Sequence, residues 1–131
     1  MMQRIKQVIL IRKDLKMRRG KEIAQGAHAA MEFLVSQLRP RVGCEGEIAI
    51  ELSDVERFWI LHGMAKVCLQ VGSEQALIAC HEKAQQQGLR SHLIRDSGRT
   101  EFGGVPTYTA CAIGPDLADR IDPVTGELPL Y

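Results

Sequence analysis

The stretch of residues 91–115, SHLIRDSGRTEFGGVPTYTACAIGP, places two β-prone runs on either side of a polar loop rich in glycine. The runs cover Ser91–Asp96 and residues 108–113, and the loop between them is too long for a tight hairpin turn. An acid, hydroxyl groups and a guanidinium gather here: Asp96, Ser97, Arg99, Thr100, Glu101 and Thr107. Hydrolytic chemistry uses such groups. The alternative is an ordinary turn at Asp96-Ser97-Gly98 with a solvated arginine.

Two further strands are predicted upstream of this stretch. Residues 5–12 contain the continuous aliphatic run Val8-Ile9-Leu10-Ile11, which is typical of a strand in the middle of a helix-covered sheet. The run is too short for the hydrophobic region of a secretion signal. Residues 65–71 alternate between apolar and polar side chains, as a strand with one buried face does.

Three helices are predicted to lie between these strands. The first covers residues 21–39 and is stopped by Pro40. The second follows the N-cap residue Ser53 and ends near Leu61, and the third follows the N-cap residue Ser73 and ends at residue 87.

The first helix has two faces of interest. Apolar residues recur at three- and four-residue steps and predict the face that packs on the core, namely Ile23, Ala27, Ala30, Met31, Leu34 and Leu38. Lys21 and His28 lie within about 20° of one another on another face, with Gln25 near the same line. Lys21 falls in the first turn, where free backbone N–H groups favour an anion. His28 either lines a site there or bonds to a neighbouring backbone group.

The predicted order β-α-α-β-α-β-β indicates an α/β fold with a four-stranded mixed sheet and helices on both faces. We expect the last two strands to be antiparallel neighbours. A chain of 131 residues is long enough for one domain, which spans residues 1–131. Two segments are less regular: residues 41–52 form a connection with an extended piece at 48–50, and the proline-containing tail forms one helical turn at 117–120.

Composition excludes several classes of protein. Hydrophobic residues make up 45% and charged residues 25% of the chain, as in ordinary globular proteins, and no apolar run is long enough to span a membrane. The four cysteines are widely spaced and include no C-x-x-C pair, so structural zinc is disfavoured. Reduced thiols in a cytoplasm are the better interpretation.

Charge is distributed unevenly although the net charge is only +1. Between Arg4 and Lys21, eight basic residues accompany the single acid Asp14, whereas acids dominate after Gly114. This asymmetry indicates a basic face that could take phosphates. The alternative is a solvated basic loop.

Two blocks of sequence resemble the signatures of the type 2 peptidyl-tRNA hydrolases, the archaeal and eukaryotic kind that also occurs in some bacteria. One block is Asp96-Ser97-Gly98-Arg99-Thr100 followed by Thr109-Ala110-Cys111-Ala112-Ile113-Gly114-Pro115. The other consists of Asp14-Leu15-Lys16-Met17, Gly20-Lys21, Ala24-Gln25 and His28-Ala29-Ala30. Further matches extend the resemblance over nearly the whole chain: Trp59, Lys66-Val67, Gly88-Leu89 and Ile121-Asp122-Pro123-Val124-Thr125-Gly126.

The resemblance implies the same α/β architecture and one peptidyl-tRNA hydrolase domain. It implies that the chain cuts the ester between a peptide and the terminal ribose of tRNA, with peptidyl-tRNA as its partner and with no metal or other cofactor. A homodimer is compatible with it. The basic and polar residues expected to contact the tRNA are Lys16, Arg18, Arg19, Gln25 and Arg99.

The family's functional positions fall on Lys21, Asp96, Thr100 and Thr109. In this hypothesis Asp96 orients or activates the water, and Lys21 stabilises charge on the ester oxygen. The two threonine hydroxyls hold the water or donate to the carbonyl oxygen. His28 shuttles a proton or supports the other groups. Whether Asp96 or His28 handles the proton stays open.

Several residues depart from the family pattern. Arg18 and Arg19 stand where Gly-Lys is more common, so the loop keeps its charge and loses flexibility. Ser97 replaces Ala, Glu101 replaces Gln beside Thr100, and the loop that follows is one residue longer. An alternative function is therefore an RNA- or protein-binding module with weak or no hydrolase activity. Binding alone, however, would not require all four functional positions.

Overall fold

The computed structural model describes residues 4–131, whose helices and strands follow the predicted order with one more helix at the end. In chain order they are β1 (Ile5–Arg12), α1 (Arg19–Leu38), α2 (Asp54–Leu61), β2 (Lys66–Val71), α3 (Glu74–Gln86), β3 (Ser91–Asp96), β4 (Thr107–Leu117) and α4 (Ala118–Thr125). A 3₁₀ turn, Phe102–Gly104, lies in the loop between β3 and β4. No helix between residues 4 and 131 is both long and apolar enough to cross a membrane.

The strands form a mixed sheet in the order β2-β1-β4-β3. β1 pairs with β2 in parallel, from Gln7 opposite Lys66 to Arg12 opposite Val71, and with β4 in antiparallel orientation. β3 and β4 are antiparallel neighbours, as predicted. The aliphatic run of β1 is buried in the middle of the sheet. The prediction of a four-stranded mixed sheet is confirmed.

Helices cover both faces of the sheet. Val8 and Leu10 of β1 point to one face, where they pack with Leu77 of α3 and Ile121 of α4. The alternate residues of β1 point to the opposite face, where α1 contributes Ala29. Because side chains alternate along a strand, one aliphatic strand supplies both halves of the core. The predicted α/β layering is confirmed.

The short helix α2 begins with reciprocal capping. The Ser53 hydroxyl accepts from the Glu56 N–H at 3.1 Å, and the Glu56 carboxylate accepts from the Ser53 N–H at 2.8 Å. Trp59 is buried and meets Phe33 of α1 edge to face, with ring centroids 5.8 Å apart. The N-cap prediction is confirmed, and α2 packs against α1.

The predicted core face of α1 is correct only in part, because Ala30 packs against the core and Leu34 and Leu38 are half-buried, whereas the other predicted residues are exposed. Ile23 is 66% exposed and Met31 is 58% exposed, whereas the buried residues of the helix are Gln25, Ala29, Glu32 and Phe33. The pattern misleads because polar residues of the buried side have partners. Arg39, seven residues further along the chain, pairs with Glu32 at 2.9 Å. An apolar stripe of α1 therefore faces outward.

The tail contains more structure than a single helical turn at 117–120, so that prediction is wrong. β4 runs to Leu117, and α4 continues for eight residues with Pro123 inside it. The cause is tertiary packing, since Ile121 is fully buried. Proline removes one N–H donor near the helix end, and burial outweighs that loss. The predicted extended piece at 48–50 is also wrong, because those residues are irregular.

The last residues lie along the outer edge of β2. The N–H of Gln70 donates to the carbonyl oxygen of Pro129, and the N–H of Tyr131 donates to that of Cys68. The hydroxyl of Tyr131 also donates to the carboxylate of Glu22 on α1. The tail therefore ties the edge strand to α1.

Candidate active site

Asp96 ends β3 and receives three hydrogen bonds. Its Oδ1 accepts from Lys21 Nζ at 2.9 Å and from Gln25 Nε2 at 3.3 Å, and its Oδ2 accepts from the N–H of Gly98 at 2.8 Å. The Lys21 and Asp96 side chains are only 15% and 13% exposed. Solvent therefore screens this ion pair much less than it screens a surface pair.

The pKa of the Asp96 carboxyl lies below its ordinary value. Burial by itself would raise that pKa, but the hydrogen bond and charge of Lys21 and the hydrogen bonds from Gly98 and Gln25 outweigh it. Asp96 is therefore a carboxylate at neutral pH. A carboxylate with a low pKa is a weak base, and it is well suited to orienting a hydrogen-bond donor such as water.

Lys21 joins α1 to the loop after β3. Besides binding Asp96, its ammonium group donates to Thr100 Oγ1 at 2.8 Å. An ammonium has three N–H donors, so one remains for a ligand. Lys21 and Gln25 are four residues apart and lie on one side of the helix, which is why both reach Asp96.

Thr109 of β4 reaches Asp96 only through Gln25. Its side chain is fully buried, and its hydroxyl donates to Gln25 Oε1. That bond leaves the Gln25 amide nitrogen pointing at Asp96 Oδ1. Gln25, predicted to contact the tRNA, is itself buried and bonds to both Asp96 and Thr109.

The loop after Asp96 is folded tightly on itself. Gly98 has a φ of +81°, and a Cβ built there would lie 2.2 Å from the carbonyl oxygen of Val105. The Gly98 carbonyl oxygen accepts from the N–H of Gly104 at 2.9 Å. Only glycine fits this close approach at positive φ. The loop thereby holds the N–H of Gly98 against Asp96.

A cavity of about 540 Å³ opens beside the Lys21 ammonium. It is lined by Arg18, Gly20, Lys21, Ala24, Thr100 and Glu101. One wall is the start of α1, and the other is the loop between β3 and β4. The ion pair with Asp96 therefore stands next to a space large enough for part of a substrate.

The sequence profile of the family described as Peptidyl-tRNA hydrolase PTH2 matches residues 5–131. The chain belongs to this family. A peptidyl-tRNA hydrolase of Methanocaldococcus jannaschii is 38% identical over 126 residues, which cover 96% of this chain and 99% of the relative. One of Methanopyrus kandleri is 42% identical over 125 residues, which cover 95% of this chain and 97% of the relative.

A more distant relative agrees with this assignment, and a solved structure agrees with the fold. The human protein named peptidyl-tRNA hydrolase 2, mitochondrial, is 36% identical over 96% of this chain, which matches 64% of that protein. A solved structure of a protein of unknown function from Agrobacterium tumefaciens has a TM-score of 0.58 at 13% identity and covers 99% of both chains. That structure supports the fold alone.

In this peptidyl-tRNA hydrolase, His28 lies apart from the other predicted catalytic residues. It sits two turns beyond Lys21 on α1, its side chain is 55% exposed, and its Nε2 is 3.6 Å from Glu32 Oε2. Among residues 4–131, the donors to the Asp96 carboxylate are Lys21, Gln25 and Gly98. His28 is thus not a direct partner of Asp96.

The predicted basic residues lie on the two segments that form the cavity walls. Lys16, Arg18 and Arg19 precede or begin α1, Arg99 belongs to the loop, and all four are exposed. Arg18 Nε donates to Glu101 Oε1 at 3.0 Å. Exposed cations around the mouth of a cavity can meet an anionic ligand without prior desolvation.

Phe102 was missed by sequence reasoning. Its ring centroid lies 6.0 Å from Lys21 Nζ, and its backbone adopts a φ of +64°. A bulky residue at positive φ is strained and occurs mainly where the surrounding structure fixes it. A single aromatic residue in a glycine-rich loop carries no sequence signal for this position. In residues 4–131, no group of three or more His, Cys, Asp or Glu side chains is arranged to hold a metal ion.

We expect Thr109→Val to lower both stability and the cleavage rate while tRNA affinity changes little. The variant leaves Gln25 Oε1 buried without its donor, which costs about 1–3 kcal/mol in the free energy of unfolding. Without the bond from Thr109, the Gln25 amide group can rotate and no longer holds Asp96 in one orientation. Urea unfolding and single-turnover cleavage test this. Thr107→Val is the control, since that hydroxyl bonds only to the Val105 carbonyl oxygen. Equal losses of stability and of cleavage rate in Thr109→Val and Thr107→Val would contradict the role of Thr109.

Proposed function

We propose that this protein hydrolyses the ester that joins the peptide of peptidyl-tRNA to the terminal ribose, without a metal ion, and so recycles tRNA. The observation that carries the proposal is the Lys21 ammonium, which binds both Asp96 and Thr100 beside a cavity that Arg18 also lines. Membership of the peptidyl-tRNA hydrolase family supplies the substrate class. The geometry supplies the groups that ester cleavage requires.

The attacking water is held by Asp96 and Thr100. Asp96 Oδ1 already accepts two hydrogen bonds, whereas Oδ2 accepts one and retains a free lone pair for a water proton. The Thr100 oxygen accepts from Lys21, so its own proton is free to donate to the water or to the ester carbonyl. Asp96 thus fixes the direction of attack and stabilises positive charge on the water as its oxygen bonds to the ester carbon. The bond to the ribose oxygen then breaks, and that oxygen leaves as a hydroxyl with the proton that the water has lost.

Negative charge on the ester oxygen is stabilised by Lys21. Two of its three N–H donors bind Asp96 and Thr100, and Lys21 also lines the cavity, so the third donor is available to a substrate there. A fixed cation in a partly desolvated site stabilises an oxyanion more strongly than water does. Thr109 and Gln25 do not touch the substrate in this scheme, and they keep Asp96 in place.

In this proposal the tRNA backbone lies across exposed cations of the two segments that bound the cavity, which are Lys16, Arg18, Arg19 and Arg99. Each phosphate contact releases counterions, so tRNA affinity falls as salt rises. This basic surface adjoins the start of α1, whereas the acidic residues are concentrated after Gly114 in the sequence. The surface orients the tRNA, and the cavity receives its acylated end.

The proposal is tested by incubating the protein with N-acetyl-aminoacyl-tRNA and with free aminoacyl-tRNA, with and without EDTA. We expect release of the N-blocked amino acid at the same rate in both buffers. No cleavage at high enzyme concentration would favour a binding module without hydrolase activity. Loss of cleavage in EDTA would contradict the metal-free reaction.

We expect the single-turnover rate of cleavage to stay constant as the pH is lowered through neutrality. The pKa of Asp96 is lowered from 3.8, so its ionised form, and the stability that its ion pair contributes, is lost only as the pH falls below that value. A rate that fell as the pH was lowered through neutrality would contradict this expectation, because Asp96 is still ionised there. If His28→Asn abolished such a fall in rate, transfer of the water proton would be assigned to His28.

The protein is also proposed to form a homodimer through the outer stripe of α1. Ile23, Ala27 and Met31 are spaced four residues apart and are all exposed. They adjoin a shallow apolar groove that Tyr131 also lines. Residues at i, i+4 and i+8 form a ridge that can pack against its own copy across a twofold axis. The small Ala27 in the middle allows close approach.

Ala27→Glu is expected to convert the dimer to a monomer without loss of folding, because Ala27 is exposed in the single chain. Sedimentation velocity measures the change. Gln75→Glu on α3, on the opposite face of the sheet, adds the same charge and should leave the dimer intact. A wild-type chain that stays monomeric at the highest attainable concentration would rule the dimer out.

A cytoplasmic location is proposed as well. Cys44, Cys68, Cys80 and Cys111 are all free thiols, as expected in a reducing compartment. Cell fractionation tests this, and recovery in an organelle or a membrane fraction would contradict it.

A further inference from the structure

A second ion pair lies across the outer part of the active-site cavity. Arg18 Nε donates to Glu101 Oε1 at 3.0 Å, and both residues line the cavity. Arg18 immediately precedes α1, and Glu101 follows Thr100 in the loop. The pair therefore connects the same two walls that Lys21 connects through Asp96 and Thr100. One bridge is shielded and belongs to the catalytic network, and the other is open to solvent.

The two members of the outer pair differ in exposure. The Arg18 side chain is 81% exposed, whereas that of Glu101 is only 17% exposed. Glu101 is therefore held by the loop, and Arg18 is the member that can move. An exposed ion pair contributes little free energy, so a guanidinium in this position can change partners readily. Phosphate is a strong competitor because a guanidinium can bind it with two parallel hydrogen bonds.

Glu101 is also the acid closest in sequence to the loop's catalytic threonine, and it faces the cavity that receives an anionic ligand. While Arg18 pairs with it, its charge is balanced. When Arg18 turns to a phosphate, the Glu101 charge is left beside the substrate. Binding therefore replaces one ion pair by another, and the net gain from Arg18 is small.

We propose that Glu101 is an internal competitor for the phosphate groups of tRNA, which holds Arg18 in the free protein and releases it when tRNA binds. This inference rests on the proposed function, since it takes the phosphodiester backbone of tRNA as the ligand. The consequence is weaker binding of substrate and of deacylated product alike. Glu101 is thus an affinity-setting residue and not a catalytic one.

The test is the affinity of deacylated tRNA for wild type, Glu101→Gln, Arg18→Gln and the double variant over a series of salt concentrations. Deacylated tRNA cannot be cleaved, so binding is measured alone. Glu101→Gln should tighten binding by roughly two- to fivefold, the range of an exposed ion pair. It should also steepen the logarithmic salt dependence by about one, because no cation is taken up by Glu101 when Arg18 leaves it.

The double variant separates competition from simple repulsion. If Glu101 acts by holding Arg18, Glu101→Gln tightens binding more when Arg18 is present than in Arg18→Gln, and Arg18→Gln weakens binding more in the Glu101→Gln background than in wild type. Simple repulsion predicts the reverse, since Glu101 is then unmasked in Arg18→Gln, and that result would overturn the inference. Unchanged or weaker binding by Glu101→Gln would overturn it too.

Glu47→Gln is the matched control for net charge. Glu47 is exposed in the connection beyond the far end of α1, so its removal should leave affinity and salt dependence unchanged. A wild-type protein that binds no tRNA would defeat the proposed function itself. A wild-type protein that binds tRNA, with no gain in Glu101→Gln, would defeat this inference alone.

Discussion

Asp96→Asn is expected to slow ester cleavage by roughly 10²-fold or more, the scale of lost acid–base catalysis. Asparagine keeps the size of the side chain and can still accept a hydrogen bond, but it loses the charge that pairs with Lys21 and holds the water. tRNA affinity should stay the same or rise slightly, because a negative charge near phosphates has been removed. Single-turnover cleavage measured beside tRNA affinity tests both expectations.

A control is needed because Asp96→Asn also leaves the Lys21 ammonium with a weaker partner. Asp122→Asn removes an acid that pairs with Lys6 at 2.7 Å, away from the cavity. It should leave cleavage near the wild-type rate. A near-wild-type rate for Asp96→Asn would rule out the proposed mechanism. Equal losses of rate and binding, accompanied by a lower unfolding midpoint, would indicate a folding defect instead.

Gly98→Ala is the second substitution with a large expected effect. The new Cβ would overlap the carbonyl of Val105, at 2.2 Å from its oxygen and 2.6 Å from its carbon, so the loop must move. Positive φ adds about 1–2 kcal/mol of backbone strain for alanine. Moving the loop also weakens the hydrogen bond from the Gly98 N–H to Asp96. A hydrogen bond to a charged group contributes about 1.5–3 kcal/mol, so we expect cleavage to fall by roughly ten- to a hundredfold.

Gly104→Ala distinguishes the effect of steric overlap with Val105 from the effect of backbone strain at positive φ. Gly104 lies in the same loop at a φ of +80°, and a Cβ there meets nothing within 4 Å. It should therefore show the strain in thermal unfolding but keep most of the cleavage rate. If the two alanine variants lost equal activity, the close approach of Gly98 to Val105 would not be what positions Asp96.

Short-range patterns predicted the strands better than the helix faces. The bounds of β3 were predicted correctly because its alternating side chains and the turn residues after it are local signals. β4 and α4 extend beyond their predicted ends because Ile121 is buried in the core, which no local pattern reports. The face of α1 was predicted correctly only in part because Gln25 and Glu32 are buried with partners that helical periodicity does not report, Thr109 for Gln25 and Arg39 for Glu32.

The candidate site shows the same division. The helical spacing of Lys21 and Gln25 predicted that both lie on one side of α1, and the structure confirms it. The same spacing placed His28 on that side, but two turns of helix carry it away from Asp96. That Lys21 and Asp96 share one site was implied by the family resemblance alone, because nothing in the spacing of two residues on different elements fixes their distance.

Lys21 and Asp96 are 75 residues apart in the chain, and Gln25 and Thr109 are 84 apart. A nascent chain cannot join these groups until β4 has been synthesised and has entered the sheet between β1 and β3. Partly folded forms are consequently inert, since closing such long loops requires the cooperative formation of the whole domain. The cleavage rate that remains in denaturant is then proportional to the fraction of fully folded molecules. Activity therefore measures the population of the native state.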